Sequence, residues 1–87
     1  PTDEDVRWAR QRWPEITREE LERGRALYVR KCAGCHNLHR PDEYPPEAWP
    51  DLVAKMQDEA EIGAVEVERI GKYLSTASAH LAAEHSR

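Results

Sequence analysis

The chain contains two cysteines, three residues apart, with a histidine directly after the second, in the run CAGCH that includes Cys32, Cys35 and His36. Four kinds of chemistry suit this arrangement: a disulfide, a redox-active dithiol, part of a zinc site, or the two thioether anchors of a covalently bound haem. In the haem case the adjacent imidazole is directed at the iron. Shuffling this composition would give the pattern in roughly one sequence in a thousand, so the signal is specific.

The three alternatives to haem find little support in the rest of the sequence. A thioredoxin-like dithiol needs a βαβ context, and no strand pattern is present. Zinc would need two of the four histidines as further ligands, but adjacent Cys35 and His36 are awkward joint ligands of one tetrahedral ion. A disulfide closing so short a loop adds little stability and leaves His36 without a role. We therefore favour haem attachment through Cys32 and Cys35.

Length and composition indicate one small domain with a thin core. The chain has 87 residues, 39% of them apolar, and no Phe, so a buried prosthetic group would supply core material that it lacks. The formal net charge is −4 without a polybasic block, and we expect no nucleic-acid partner. No apolar run approaches the roughly 18 residues of a membrane span. The chain begins at Pro1 without Met or a signal peptide, so it looks like a processed or excised form, and a membrane anchor upstream would not be visible.

The sequence predicts a helix that leads into the cysteine motif. Thr17 followed three residues later by Glu20 is a capping box, which sets the helix start near Arg18. An apolar stripe at helical spacing comprises Leu21, Gly24, Tyr28 and Cys32, with Leu27 beside it. The motif is therefore expected near the end of this helix.

Two further helices are predicted after the motif. The run NLHRPDEYPP, from Asn37 to Pro46, has three prolines and no periodicity, which indicates a loop. A second helix is expected from close to Pro46, because Pro50 is tolerated only in a first turn. A third begins at about Ala64. With no strand pattern anywhere, the sequence predicts an all-α fold.

These residues together make the chain resemble a small monohaem class I c-type cytochrome. The resemblance rests on GRALYVRKCAGCH at the front and ERIGKYL at the back, and it covers roughly residues 17 to 77. In that family a glycine and an aromatic residue on the first helix cross an aromatic-containing last helix, and Gly24, Tyr28 and Tyr73 occupy the matching places. The resemblance implies a cytochrome c-like helical fold wrapped around one covalently bound, iron-containing haem c.

The expected organisation has three parts. Residues 17–79 form the cytochrome c domain. Residues 1–16 are an N-terminal extension that we expect to contain a short helix, and residues 80–87 are a C-terminal tail that either extends the last helix or frays.

Met56 is the expected distal iron ligand. It is the only methionine, and it precedes Tyr73 by 17 residues, an interval similar to that of the family. Family members commonly carry this methionine in a loop, whereas Met56 continues an apolar helical stripe, where methionine is more often a core residue. We still assign Met56 to iron, because the haem would be the largest apolar surface on which this helix could lean. His80 or His85 is the alternative for a bis-histidine site, and His39 is expected to be a solvated loop residue.

Other side chains near the motif have expected supporting roles. A backbone carbonyl of the loop should accept the N–H of His36, and Pro41, Pro45 and Pro46 compete to shape that loop. Trp49 is expected to act by packing, although Trp49 or Tyr44 could instead donate to a haem propionate.

Axial ligation by His36 and Met56 would fill both iron positions, which predicts a one-electron carrier and not an enzyme. Two alternatives stay open: a five-coordinate or weakly ligated haem for gas sensing or peroxidase chemistry, and the haem domain of a larger oxidoreductase.

The resemblance also implies export, so we expect a periplasmic or otherwise exported monomer that meets redox partner proteins. The charge of the partner stays open, because basic residues near the motif oppose the net negative charge of the chain; they are Arg30, Lys31, Arg40 and Lys55.

Overall fold

The computed structural model describes residues 1–32, 40–57 and 62–85, apart from the side chain of Cys32. The α-helices in these ranges are α1, Asp3–Arg10; α2, Arg18–Cys32; α3, Trp49–Lys55; and α4, Ala64–His85. Two short 3₁₀ turns, Pro41–Glu43 and Pro46–Ala48, precede α3. The described ranges contain no strand, and the predicted all-α fold is confirmed. None of the helices described is long and apolar enough to cross a membrane.

Local sequence signals set the beginnings of α2 and α3. The hydroxyl of Thr17 accepts a hydrogen bond from the backbone N–H of Glu20 at 3.2 Å, which satisfies one of the unpaired donors of the first turn of α2. Pro50 lies in the first turn of α3, where its missing N–H costs nothing. The start of α2 was predicted at Arg18, whereas the helix expected from close to Pro46 begins there as a 3₁₀ turn and becomes α-helical only at Trp49.

The longest helix, α4, begins at Ala64 as predicted and continues to His85. Its N-terminus is closed by Glu66, whose carboxylate accepts the backbone N–H of Gly63 at 3.0 Å. Residues 80–85 of the expected tail are therefore helical.

A close crossing of α2 and α4 organises the domain. Gly24 is buried at this crossing, and a Cβ atom placed on it would collide with the carbonyl oxygen of Arg69 and lie 2.8 Å from the Cβ of Tyr73. One turn along α2, the ring of Tyr28 packs on that of Tyr73 with centroids 6.1 Å apart. The crossing predicted from the glycine and the two tyrosines is confirmed.

The buried apolar side chains form two clusters. The main core joins α2, α3 and α4 and consists of Leu27, Trp49, Val53, Ile62, Ile70 and Leu74. The second cluster consists of Val6, Ala9, Ile16 and Leu21, with Trp8 and Trp13 packed against it. Because Leu21 belongs to α2, residues 1–16 add a second, smaller core to the face of the domain formed by α2.

Candidate functional site

The cysteine motif begins where α2 ends. Cys32 is the last residue of α2, and Arg30 and Lys31 place positive charge in its last turn, where the helix dipole favours cations. This agrees with the predicted position of the motif near the end of a helix. Cys35 and His36 lie outside the described residues, so their bonds to haem stay predictions, as does the thioether bond of Cys32.

The last turns of α2 divide between the core and the surface. Leu27 is buried in the main core, and Tyr28 packs against it. Val29, three positions before the first cysteine, is 51% exposed. The end of α2 therefore presents apolar surface close to the motif.

Met56 lies at the C-terminal end of α3. Its backbone N–H donates to the carbonyl oxygens of Val53 at 3.1 Å and Leu52 at 3.3 Å, which closes the last turn of the helix. Its side chain is partly buried and packs against the main core. Ligation of iron by Met56 stays a prediction, but the thioether is at the end of the helix and not in its middle.

Several apolar side chains on α3 and in the first turn of α4 are only partly covered. The end of α3 is held next to the start of α4, because the N–H of Ile62 donates to the carbonyl of Gln57 at 3.3 Å. Three of these apolar side chains are partly buried: Leu52, Met56 and Val67. A fourth, Val65, is 59% exposed.

These features fit a haem. A flat porphyrin needs apolar side chains that the protein itself leaves partly uncovered, and the ends of α2 and α3 and the start of α4 provide them. The donor set also fits, since an imidazole and a thioether are the axial ligands that raise the potential of c-type haem iron.

His80 is engaged by two carboxylates. Its Nδ1 lies 2.8 Å from Oδ1 of Asp5 on α1, and its Nε2 lies 2.9 Å from Oε1 of Glu84. The hydrogen bond to Asp5 raises the pKa of His80 above its ordinary value, although burial acts in the opposite direction. Both ring nitrogens are used in this arrangement, which therefore offers no nitrogen of His80 to iron.

The other alternative histidine, His85, is exposed and lies 3.5 Å from the carboxylate of Asp42. His39 lies outside the described residues.

Trp49 acts by packing, as expected. It is 1% exposed, and its ring meets that of Tyr44 edge-on at a centroid distance of 5.3 Å. The indole N–H donates to the carbonyl of Pro41 at 2.7 Å, so this donor is committed to the loop and is not directed to a propionate. The carbonyl of Pro41, in the loop expected to support His36, therefore already accepts one hydrogen bond.

Two serines on α4 hold the same loop, and the sequence analysis did not identify them. The hydroxyl of Ser75 donates to the carbonyl of Pro46 at 2.7 Å, and that of Ser78 donates to the carbonyl of Tyr44 at 2.6 Å. Both side chains are 2% exposed. Their spacing of three residues places both hydroxyls on one helix face, which is the signal that could have indicated a polar contact there.

An all-α domain in which the helix before the CxxCH motif crosses the last helix at a glycine has the characteristics of a c-type cytochrome. The model of the family described as dihaem cytochrome c matches residues 28–87, which include the motif, the loop, α3 and α4. The chain belongs to this dihaem cytochrome c family, which implies covalently bound haem c and electron transfer. The comparisons with curated proteins and with solved structures found no match.

The family differs from the expected one in its number of haems. The sequence resemblance pointed to monohaem class I cytochromes, whereas the matching family is dihaem. A single CxxCH motif is nevertheless present in these 87 residues. The N-terminal extension, residues 1–16, lies outside the matched range.

Proposed function

We propose that this chain is a one-electron carrier that holds one haem c through Cys32 and Cys35, with His36 and Met56 as the axial ligands. The two cysteines present in the chain are enough to attach one haem. One haem in these residues is compatible with a dihaem family if the second is attached to other cysteines than those present here.

The observation that carries the proposal is that Met56 is one of the partly buried apolar side chains of α3 and α4 that pack against the main core. This thioether ends α3 among apolar side chains that are partly uncovered, while the cysteine motif begins at the end of α2. A thioether favours ferrous over ferric iron more than a second histidine does, so Met56 would raise the reduction potential. The haem itself supplies a one-electron couple when it is bound.

The chain's own residues then limit the chemistry to electron transfer. His36 and Met56 would fill both axial positions, and the apolar side chains of α3 and α4 would exclude water from the metal. With no open coordination position, the protein is a carrier and not an enzyme. We further propose that it is an exported, periplasmic monomer that exchanges electrons with other redox proteins, since covalent haem attachment takes place outside the bacterial cytoplasm.

Covalent attachment is tested by denaturing the purified holoprotein and extracting it with acidified organic solvent. The haem should stay with the polypeptide, and the reduced protein should show the sharp alpha and beta bands of low-spin c-type haem. The Cys32→Ala and Cys35→Ala variants are the controls, and each should yield less folded protein, because a cofactor bound only by the native state stabilises it. Complete extraction of haem from the wild type would reject attachment through the cysteines.

The role of Met56 is tested with Met56→Ala. We expect the variant to have an open sixth position and a lower reduction potential than the wild type. Its ferrous form should bind carbon monoxide, which the wild type should not. Leu52→Ala is the matched control for loss of an apolar side chain, because Leu52 is also partly buried on α3 and packs against the same core, and it should leave the sixth position closed to carbon monoxide. An unchanged spectrum and potential in Met56→Ala would eliminate the thioether as a ligand. Carbon monoxide binding by the wild type would instead favour the gas-sensing or peroxidase function.

A further inference from the structure

The described part of the loop that follows the haem motif has local hydrogen bonds of its own. Three of the residues from Arg40 to Ala48 are proline and have no N–H to donate. Within the loop, the N–H of Glu43 donates to the carbonyl of Arg40 and that of Ala48 to the carbonyl of Pro45, each at 3.0 Å in a single 3₁₀ turn. The N–H of Arg40 donates to the carboxylate of Glu43 at 3.3 Å, so these bonds join residues no more than three positions apart. Its path must therefore be determined by contacts with other elements.

Hydrogen bonds from side chains supply these contacts. Ser75 and Ser78 on α4 donate to the carbonyls of Pro46 and Tyr44, and Trp49 at the start of α3 donates to that of Pro41. All three donor side chains are at most 2% exposed. The three bonds are partly buried, and each ties the loop to a buried side chain of α3 or α4, so together they fix the loop in one position. The carbonyl of Pro46 also accepts the backbone N–H of Trp49.

We propose that Ser75 and Ser78 are positioning residues that set the reduction potential of the haem by fixing this loop. The inference rests on the proposed function. Arg40 follows His36 by only four residues, so the position of the loop limits where the chain can lead away from the proximal ligand. The groups around an axial histidine orient its ring, and the shell around the metal controls the access of water, which together tune the potential.

The chain contains a matched control between the two serines. Thr76 is also buried, at 3% exposed, but its hydroxyl donates to the carbonyl of Lys72 within α4, at 2.8 Å. Thr76→Ala removes a buried hydroxyl from the same helix without releasing the loop. Ser75→Ala and Ser78→Ala each remove one loop contact.

Two measurements on the holoprotein separate positioning from simple stabilisation. The first is hydrogen exchange of the backbone N–H groups of Glu43 and Ala48, which reports on the loop and does not depend on redox chemistry. The second is the reduction potential, together with the NMR shifts of the haem methyl groups. In Ser75→Ala and Ser78→Ala we expect exchange to become faster by about tenfold, the potential to fall as water gains access, and the methyl shifts to change. Thr76→Ala should leave all three close to wild type.

If an alanine variant does not fold well enough to be purified, two variants of nearly equal shape can be compared instead. Ser78→Thr keeps a hydroxyl, whereas Ser78→Val has nearly the same shape without one. The reduction potential of Ser78→Thr should equal that of the wild type. The reduction potential of Ser78→Val should be lower than both.

The outcomes distinguish the inference from the function on which it rests. Faster exchange with an unchanged potential would overturn the positioning role, and so would equal shifts in Thr76→Ala. Unchanged exchange in both serine variants would overturn the fixing of the loop. A wild-type protein without covalent haem would instead reject the proposed function.

Discussion

Replacing Gly24 with alanine tests the helix crossing on which the whole domain depends. A Cβ atom at this position would collide with the carbonyl oxygen of Arg69 and lie 3.1 Å from its carbonyl carbon and 2.8 Å from the Cβ of Tyr73. Two of these atoms are backbone and the third is the first side-chain atom, so no side-chain rotation can relieve the contact. The two helices must therefore move apart.

The expected magnitude follows from two opposing effects. Alanine in the middle of a helix is better than glycine by roughly 1 kcal/mol. Overpacking of a tight contact costs typically about 1–3 kcal/mol, and backbone atoms on both sides favour the upper part of that range. The net loss in the free energy of unfolding is therefore about 1–2 kcal/mol. For a domain of this size such a loss lowers Tm by roughly 4–16 °C.

Urea unfolding followed by the circular dichroism of the helices measures this loss. Arg23→Ala is the control, because Arg23 is exposed on the same helix and the change should stay within about 0.5 kcal/mol of wild type. Gly24→Leu should cost more than Gly24→Ala. If Gly24→Ala is as stable as the wild type or more so, the helices do not approach as closely as described, and the reasoning is refuted.

Two further predictions concern the contacts that fasten α1 and the loop. The hydrogen bond between Asp5 and His80 raises the pKa of His80; burial raises the pKa of Asp5, but hydrogen bonds from Thr2 and His80 outweigh it and lower that pKa overall. The stabilisation from His80 is thus complete below its ordinary pKa of 6.5 and is lost as pH rises through its raised pKa. The stabilisation from Asp5 is present above its ordinary pKa of 3.8 and is lost as pH falls through its lowered pKa. His80→Gln should flatten the fall in urea midpoint on the alkaline side, and a slope equal to that of the wild type would contradict this. Trp49→Phe keeps an aromatic ring but removes the indole N–H that donates to the carbonyl of Pro41, so we expect the free energy of unfolding to fall by about 1 kcal/mol in the same assay. An unchanged urea midpoint would show that water replaces the indole as donor.

The sequence predicted features that depend on neighbouring residues, and the resemblance to a family added one contact between distant helices. Thr17 and Pro50 act within one turn of their own helices, so the start of α2 and the approximate start of α3 could be inferred without knowing the fold. Gly24 was identified because the resemblance placed a small residue at a helix crossing. In each case one residue type is strongly favoured by the local backbone or by a close approach.

Apart from the crossing at Gly24, contacts between distant parts of the chain were not predicted. Ser78 and Tyr44 are 34 positions apart, and His80 and Asp5 are 75 apart. Serine and histidine are common on exposed helix faces, so their types alone do not indicate partners that only the tertiary fold brings near. The number of haems in the family was likewise not visible, because the chain contains one attachment motif.

The contact between α1 and the last turns of α4 brings the beginning and the end of the described chain together. Thr2 and Glu84 line the same surface cavity, close to the hydrogen bond between Asp5 and His80. The two ends could therefore be joined, and the chain opened elsewhere, without changing how the helices pack. A circular permutant that joins the end of α4 to Thr2 by a short linker and opens the chain at the exposed Pro14 would place α1 last in sequence and leave it on the same helices.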